Sequence, residues 1–195
     1  NIDGREIEAR QGEMLLDAAL AAGIYIPYFC SHPLLSRPAN CRMCLVEIEG
    51  LPKLTPSCMT PVKDGMVVRT NTPRVLESHR SVMEFYLTNH PLDCPVCDQS
   101  GECVLQDYSW SYGSPVSRFE DVKVTQPIKD VGPDILLYQD RCIMCTRCVR
   151  FLREISGTGE LVVVKRGVYN EIHADQGRRV DNPLAGNVVD ICPVG

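Results

Sequence analysis

The chain has 195 residues, of which 44% are apolar, and a formal net charge of -5; this composition is typical of folded proteins rather than disordered ones. A set of 25 acidic against 20 basic residues provides no basic field for a phosphate backbone, which excludes nucleic acid as an expected partner. The longest apolar runs, such as Ala18 to Ala22, are far shorter than the roughly 20 residues that cross a bilayer, so we predict no direct membrane span.

The first third of the chain is predicted to wrap strands and one helix around a loop. Asp3 and Gly4 favour a short hairpin turn, and the apolar spacing over residues 14–22 predicts a helix that Gly23 ends. The segment 30–44 lacks a regular period and is predicted to be an irregular loop. Strands are predicted at 24–29, 45–48 and 66–69.

The rest of the chain is predicted to contain one long helix followed by a second group of helices and strands. Pro73 lies near the start of an amphipathic helix that ends at His90-Pro91. The mixture of Ser, Gly, Pro and charged residues over 111–133 indicates a connecting loop. Beyond it, a helix is predicted at 148–155, a pair of strands at 161–168 and 169–173, and a lead-in to Cys192-Pro193 at 187–191.

Cysteine is the most unusual feature of the composition, with eleven residues. This is too many for idle thiols in a reducing compartment, and an odd number does not suit a framework held only by disulfides. Iron-sulfur clusters and zinc sites are the two interpretations that remain.

The first ligand set has the spacing C-x10-C-x2-C-x13-C, which is similar to the plant-type ferredoxin pattern with a longer first interval. It suits a [2Fe-2S] cluster, because each iron needs two thiolates from a loop wrapped closely around it. Structural zinc is the alternative, although zinc ligands commonly come as two close pairs and only one such pair is present. The members of this first set are Cys30, Cys41, Cys44 and Cys58.

The middle ligand set has the spacing H-x3-C-x2-C-x5-C. Three local thiolates leave a [4Fe-4S] cluster one ligand short, and the nearby histidine can supply it. A neutral imidazole would make the cluster less negative and raise its reduction potential. The alternatives are a Cys3His zinc site and a histidine that only caps a helix or faces solvent. The members of this middle set are His90, Cys94, Cys97 and Cys103.

The third ligand set has three cysteines in a C-x2-C-x2-C run and a remote fourth that precedes proline. Bacterial ferredoxins divide the ligands of a [4Fe-4S] cluster in this way. A single tetrahedral zinc ion seldom takes three ligands from so short a run, so zinc is the weaker alternative. The members of this third set are Cys142, Cys145, Cys148 and Cys192.

The three sets together use every cysteine of the chain. No thiol is left for a disulfide or for a nucleophile that needs a free thiolate beside a base, so we predict no catalytic residue. No Gly-rich dinucleotide fingerprint or P-loop is present, so nicotinamide and flavin are expected to bind in a partner from which electrons enter.

Four arginines lie near the third set in sequence. They either form a solvated helix face or offset the negative charge of a thiolate-ligated cluster and so tune its potential. They are Arg141, Arg147, Arg150 and Arg153.

Over essentially its whole length the chain resembles the N-terminal iron-sulfur region of the large iron-sulfur subunit of respiratory complex I, NADH:quinone oxidoreductase. One departure is Ala39, where the family usually has glycine before Asn40-Cys41. The family's molybdopterin-oxidoreductase-like domain is missing, and with Asn1 in place of a methionine we expect the chain to be an excerpt. The segments that carry the resemblance are Tyr28 to Cys30, Cys41 to Glu47, Asn89 to Asp98, Gly101 to Asp107, Arg141 to Phe151 and Gly186 to Gly195.

The resemblance implies an α+β chain with three iron-sulfur units and one [2Fe-2S] and two [4Fe-4S] clusters. All twelve proposed ligands match family positions. The implied units are a β-grasp [2Fe-2S] ferredoxin-like domain at 1–75, a helical His-Cys [4Fe-4S] segment at 76–115, a linker at 116–133 and a [4Fe-4S] ferredoxin-like domain at 134–195.

The resemblance also implies a function: single electrons pass from an NADH-oxidising FMN subunit toward quinone, alongside other iron-sulfur subunits of the peripheral arm. That arm would lie at the cytoplasmic face of a bacterial inner membrane, or on the matrix side in mitochondria. Diaphorase subunits of NAD-reducing hydrogenases and NAD-dependent formate dehydrogenases share the layout and form the first alternative. A zinc-stapled structural scaffold without a redox role is the second.

Overall fold

The computed structural model describes residues 1–195 and mixes helices with small sheets, in agreement with the predicted α+β class. No helix combines the length and the apolar character that crossing a bilayer would require. The helices are α1 (Leu15–Ala21), α2 (Pro73–Leu87), α3 (Val104–Tyr112), α4 (Arg147–Glu154) and α5 (Asn187–Asp190). The strands are β1 (Leu45–Ile48), β2 (Thr55–Pro56), β3 (Val68–Arg69), β4 (Ile128–Gly132), β5 (Ile135–Tyr138), β6 (Leu161–Val164) and β7 (Glu171–Ala174).

The first third of the chain folds around a three-stranded antiparallel sheet in which β1 lies between β2 and β3. The hairpin turn predicted at Asp3 and Gly4 is confirmed, with φ angles of 50° and 86°. The helix predicted at 14–22 is α1, and Gly23 follows it in the left-handed region at φ 73°, where glycine has no steric penalty. The predicted strand at 45–48 is β1, whereas the strand predicted at 66–69 is reduced to β3.

The strand predicted at 24–29 is wrong, because these residues join no sheet. Pro27 has no N–H to donate to a neighbouring strand, and the N–H of Tyr28 donates instead to the hydroxyl of Tyr108 at 3.1 Å. Ile26 and Phe29 are fully buried. The apolar run therefore reflects burial of an irregular segment rather than strand pairing.

The amphipathic helix predicted from Pro73 is confirmed as α2. The hydroxyl of Thr72 accepts a hydrogen bond from the N–H of Val75 at 3.3 Å and caps the helix, and proline at the first helical position suits the fixed backbone angle there. The helix ends at Leu87, ahead of the predicted end at His90-Pro91. Its buried face consists of Val75, His79 and Met83.

The last third contains two antiparallel strand pairs, β4 with β5 and β6 with β7, and α4 packs against both α5 and β6. The predicted helix at 148–155 is confirmed as α4. The two strands predicted from 161 onward do pair, although β6 stops before Lys165, which has a left-handed φ of 62°.

The loop predicted at 111–133 is wrong at both ends, and the linker predicted at 116–133 is wrong at its second end only. Helix α3 reaches Tyr112, and β4 occupies Ile128–Gly132, where it pairs with β5. The alternation of apolar and polar residues along β4 covers only a few positions, and the strand ends at the Gly132-Pro133 turn. The pattern is therefore too short to be recognised as a strand from the sequence.

Two of the three apolar clusters draw on distant parts of the chain. The cluster under α2 and α3 joins Phe29 and Met43 from the first third to Ile143 and Val194 from the last. The cluster under α4 includes Leu35 from the long loop after Cys30. Packing therefore joins the first and last thirds of the chain directly.

We expect Gly132→Ala to destabilise the fold. A Cβ at Gly132 would lie 2.4 Å from the carbonyl oxygen of Val180, and forcing apart a packed contact of this kind costs about 1–3 kcal/mol. The midpoint of urea unfolding, followed by circular dichroism, should fall. Gly186→Ala is the matched control, because a Cβ there meets no atom within 4 Å; equal midpoints for the two variants would contradict the prediction.

Candidate metal centres

All eleven cysteines are free thiols. Those of the first set are buried, those of the middle set are half-buried, and those of the third set are buried or half-buried. No group of three or more His, Cys, Asp or Glu side chains has the geometry of a formed single-ion site.

The sheet and the long loop bring the four thiols of the first set together. Cys44 comes directly before β1 and Cys58 lies in the turn after β2, so the pairing of these strands places the two side by side. The N–H of Ser57 donates to the carbonyl of Cys44 at 3.0 Å and fixes that register. The loop between Cys30 and Cys41 folds back on this pair, and the thiols of Cys30 and Cys58 contact each other.

The thiols of this set lie close enough for hydrogen bonding between them to shift their pKa values. The thiols of Cys41 and Cys58 lower the pKa of Cys30 to about 2, and Cys58 also lowers the pKa of Cys44 to about 7. The same hydrogen bonds raise the pKa of Cys41 and of Cys58. Backbone N–H groups of Asn40 and Cys41 add to the lowering of the Cys30 pKa. Buried thiols that already share protons, with peptide N–H groups facing sulfur, suit thiolate ligation of iron.

The backbone of the long loop explains the departure from glycine at position 39. Ala39 and Arg42 have left-handed φ angles of 51° and 58°, in the region that costs a residue with a side chain roughly 1–2 kcal/mol and costs glycine nothing. The loop thus keeps the turn that glycine would make, and the thiol of Cys41 still reaches that of Cys30.

The middle set lies between the end of α2 and the start of α3. A single turn over Cys94–Val96 carries the first thiol, the N–H of Cys97 donates back to the carbonyl of Cys94 at 3.1 Å, and Cys103 is the residue before α3. The thiol of Cys103 lies 3.9 Å from the carbonyl oxygen of Pro193. The residue after Cys192 in the third set therefore contacts a ligand of the middle set.

His90 is half-buried and makes no hydrogen bond to the three thiols of its set. Its Nδ1 is buried without a partner, and burial lowers its pKa, which favours the neutral imidazole that binds metal. The ring lies on the wall of a cavity of about 260 Å³ that Cys142 also lines. A nitrogen without a hydrogen-bond partner is free to bind a metal. The carboxylates of Asp93 and Asp140 raise the pKa of the ring, but burial outweighs them.

The third set is arranged by a tight loop at the start of α4. Met144 and Thr146 have left-handed φ angles of 54° and 60°, which turn the chain between Cys142, Cys145 and Cys148. The N–H of Met144 donates to the sulfur of Cys142 at 3.4 Å.

Helix α5 delivers the remote fourth ligand of the third set, Cys192, to this loop. Burial raises the pKa of Cys142 to about 12 and that of Cys192 to about 11. Burial also raises the pKa of Cys148, and the other three thiols of the set raise it further, so all four are neighbours. Raised pKa values keep these thiols neutral, and a bound cation would favour the loss of their protons.

The four arginines near the third set do not form one solvated helix face. Arg141 is buried and pairs with Asp93 at 2.8 Å. Arg150 is also buried, whereas the side chain of Arg153 is 68% exposed. The solvated-face interpretation is therefore wrong for Arg141 and Arg150 and right for Arg153.

Sequence analysis missed the contacts that join α4 to the loop after Cys30. The carboxylate of Glu154 accepts hydrogen bonds from the N–H of Ser36 at 2.7 Å and from its hydroxyl. The amide of Asn40 donates to the carbonyl of Met144 at 3.1 Å. These partners are more than 100 residues apart, and no local spacing signals such a contact.

Three family models match the chain in consecutive ranges. Residues 1–73 match a 2Fe-2S iron-sulfur cluster binding domain, residues 79–118 match an NADH-ubiquinone oxidoreductase-G iron-sulfur binding region, and residues 132–195 match an NADH-quinone oxidoreductase subunit 3 ferredoxin-like domain. The predicted succession of iron-sulfur units is confirmed, and iron-sulfur clusters are supported as the cofactors.

Curated relatives match the chain over its whole length. A subunit of the NADH-quinone oxidoreductase of Rickettsia felis is 48% identical over 100% of the chain and 29% of the relative. A NADH-ubiquinone oxidoreductase 75 kDa subunit from Reclinomonas americana is 48% identical, with 28% of the relative covered. The chain belongs to this family of oxidoreductase iron-sulfur subunits. It spans less than a third of the length of these relatives.

A solved structure shares both the fold and part of the sequence. A chain of a NAD+-reducing [NiFe]-hydrogenase, in its H2-reduced state, superposes with a TM-score of 0.89 at 34% identity. The match covers 100% of this chain and 84% of that one. The fold is thus shared between this family and a hydrogenase chain.

We expect Gly195→Ala to disturb the middle set. A Cβ at Gly195 would lie 2.3 Å from the sulfur of Cys97 and 3.2 Å from Cβ of Gln99, so the thiol must move. Iron bound per chain should fall by up to about four atoms, the content of one [4Fe-4S] cluster, while the first set keeps its iron. Gly186→Ala serves again as the control, and unchanged iron content in Gly195→Ala would contradict the prediction.

Proposed function

We propose that this chain carries single electrons through three iron-sulfur clusters as part of an NADH:quinone oxidoreductase. In this proposal the first set holds a [2Fe-2S] cluster and the middle and third sets each hold a [4Fe-4S] cluster. Electrons enter from a subunit that oxidises NADH on FMN and leave toward quinone through other iron-sulfur subunits of the peripheral arm. The arm lies at the cytoplasmic face of a bacterial membrane or on the matrix side in mitochondria.

One observation supports this function above the others: ligands of all three sets lie in or against a single apolar cluster. Cys30 and Cys41 of the first set and Cys145 of the third set belong to it, and Cys103 of the middle set and Cys192 of the third set pack against it. Electron transfer requires short gaps bridged by packed protein. A scaffold that needed only zinc for its stability would gain nothing from gathering three ligand sets around one core.

The clusters would supply one-electron chemistry, each cycling between an oxidised and a reduced form. The side chains of this protein bind them, exclude water and set their potentials. In the first set, the thiols hydrogen-bond one another, and the N–H groups of Asn40 and Cys41 face the sulfur of Cys30. In the third set, burial dominates the pKa values of all four thiols. Unlike surroundings favour unlike potentials.

A diaphorase role in a NAD-reducing hydrogenase is a second candidate function, and the superposition on a hydrogenase chain supports it. That chain is 34% identical, however, whereas the NADH-quinone oxidoreductase relatives reach 48%. An NAD-dependent formate dehydrogenase would use the same layout. Assays of the purified parent complex with NADH plus quinone, hydrogen plus NAD and formate plus NAD separate the three candidates.

Elemental analysis tests the electron-carrier proposal against the zinc scaffold. We expect about ten iron atoms and about ten acid-labile sulfides per chain, the content of one [2Fe-2S] and two [4Fe-4S] clusters. Anaerobically purified protein with about three zinc ions per chain and no labile sulfide would refute the proposal.

Single-ligand variants test the assignment of the sets. We expect His90→Ala to remove or destabilise only the middle cluster and Cys145→Ala to affect only the third, because each ligand serves one set. Electron paramagnetic resonance of the reduced protein resolves the three signals. His173→Ala is the control, since that imidazole is exposed and hydrogen-bonds only the neighbouring carbonyl of Ala174.

A thiolate replacement separates ligation by His90 from a structural role. His90→Cys should keep a four-ligand middle site but lower its midpoint potential, because a thiolate adds negative charge to the cluster. Three unaltered signals in His90→Ala would remove His90 from the ligand set.

A further inference from the structure

Arg150 occupies a buried position between the first and third ligand sets. It lies on α4 with 3% of its surface exposed. Its Nη2 donates to the carbonyl of Cys30 at 2.6 Å and to the carbonyl of Cys145 at 3.1 Å. One nitrogen thus contacts the backbone of one proposed ligand from each set. Its Nη1 donates to the carbonyl of Ser36 at 2.5 Å, and its Nε to the hydroxyl of Thr146 at 3.3 Å.

No carboxylate forms an ion pair with this buried guanidinium. The ion pairs of the chain include Arg141, Arg153 and other basic residues, but not Arg150. The carboxylate of Glu154 acts on Arg150 through its charge without forming an ion pair, and it accepts two hydrogen bonds from Ser36. A buried charge without a counter-charge is strongly unfavourable. Hydrogen bonds to carbonyl groups satisfy its donors, but no carboxylate lies within ion-pair distance to offset its charge.

Arg147, one helical turn before Arg150, shows the same pattern. Its Nη2 donates to the carbonyl of Ser31 at 2.8 Å and its Nη1 to that of Ile191 at 3.4 Å, so it too joins the loop after Cys30 to the neighbourhood of Cys192. Its Nε is buried without a partner, and it forms no ion pair. Two guanidinium groups that form no ion pair therefore lie between the two ligand sets, and we expect negative charge to be bound there.

We propose that Arg150 is a positioning residue shared by two clusters, whose single positive charge raises the reduction potentials of the cluster held by the first set and the cluster held by the third set together. This inference rests on the proposed function. An added electron makes a thiolate-ligated cluster more negative, and a fixed cation nearby stabilises that reduced form. No bond forms or breaks, and the electron comes from the reductant of the titration or from the flavin partner.

The test is a redox titration of the parent complex, followed by paramagnetic resonance of each cluster. Arg150→Gln removes the charge while keeping an amide that can donate hydrogen bonds. We expect the ratio of reduced to oxidised protein at a fixed potential to fall about tenfold for the first and third clusters, which is a shift of about 59 mV for one electron. The midpoint potential of the middle cluster should not change. Arg153→Gln, the exposed arginine on the same helix, should leave all three midpoints unchanged.

A second variant covers the case in which Arg150→Gln does not assemble. Arg150→Lys keeps the charge but loses the forked geometry, so we expect both midpoints to stay near their original values. A downward shift of both midpoints in Arg150→Lys would show that the hydrogen bonds, not the charge, set the potentials, and would overturn the proposal. Unchanged midpoints in Arg150→Gln with full iron content, or a shift of one cluster alone, would overturn it as well.

The failure of this inference is distinct from failure of the proposed function. If the protein without any substitution contains neither iron nor labile sulfide, the electron-carrier function itself is refuted. If the protein without any substitution holds three clusters and the midpoint potentials are unchanged in Arg150→Gln, only the shared role of Arg150 is refuted.

Discussion

The contact between α4 and the loop after Cys30 places the first and third ligand sets side by side. Leu35 from that loop packs into the core beneath α4. Glu154 at the end of the helix binds the backbone and hydroxyl of Ser36. Arg150 in its middle donates to carbonyls from both sides. If this docking were lost, each ligand set could still form locally, but the gap between the two sets would no longer be fixed.

The thiols of the first and third ligand sets have different local environments. Thiols of the first set hydrogen-bond one another beside a sheet, which lowers the pKa of Cys30 and Cys44 and raises that of Cys41 and Cys58. Thiols of the third set lie in a loop closed by α5, where burial raises every pKa, that of Cys148 included.

The middle set is joined to the third through the end of the chain. The carbonyl of Pro193 lies against the thiol of Cys103, and Gly195 approaches Cys97 so closely that no larger residue fits without movement. The residues that follow Cys192 thus contribute to a neighbouring site as well as to their own. His90, in contrast, lines a cavity together with Cys142 of the third set, and its membership in the middle set stays a prediction.

Sequence alone determined the α+β class and the helices α1, α2 and α4, and it predicted the three ligand groups, because all of these follow from spacings of a few residues. It failed at 24–29, where Pro27 prevents pairing and tertiary burial explains the apolar run. It also failed at β4, whose alternation is too short to detect. Only the tertiary structure decided which ligand sets are neighbours and that Arg150 lies between two of them. These contacts join residues more than 100 positions apart, and no local pattern encodes them.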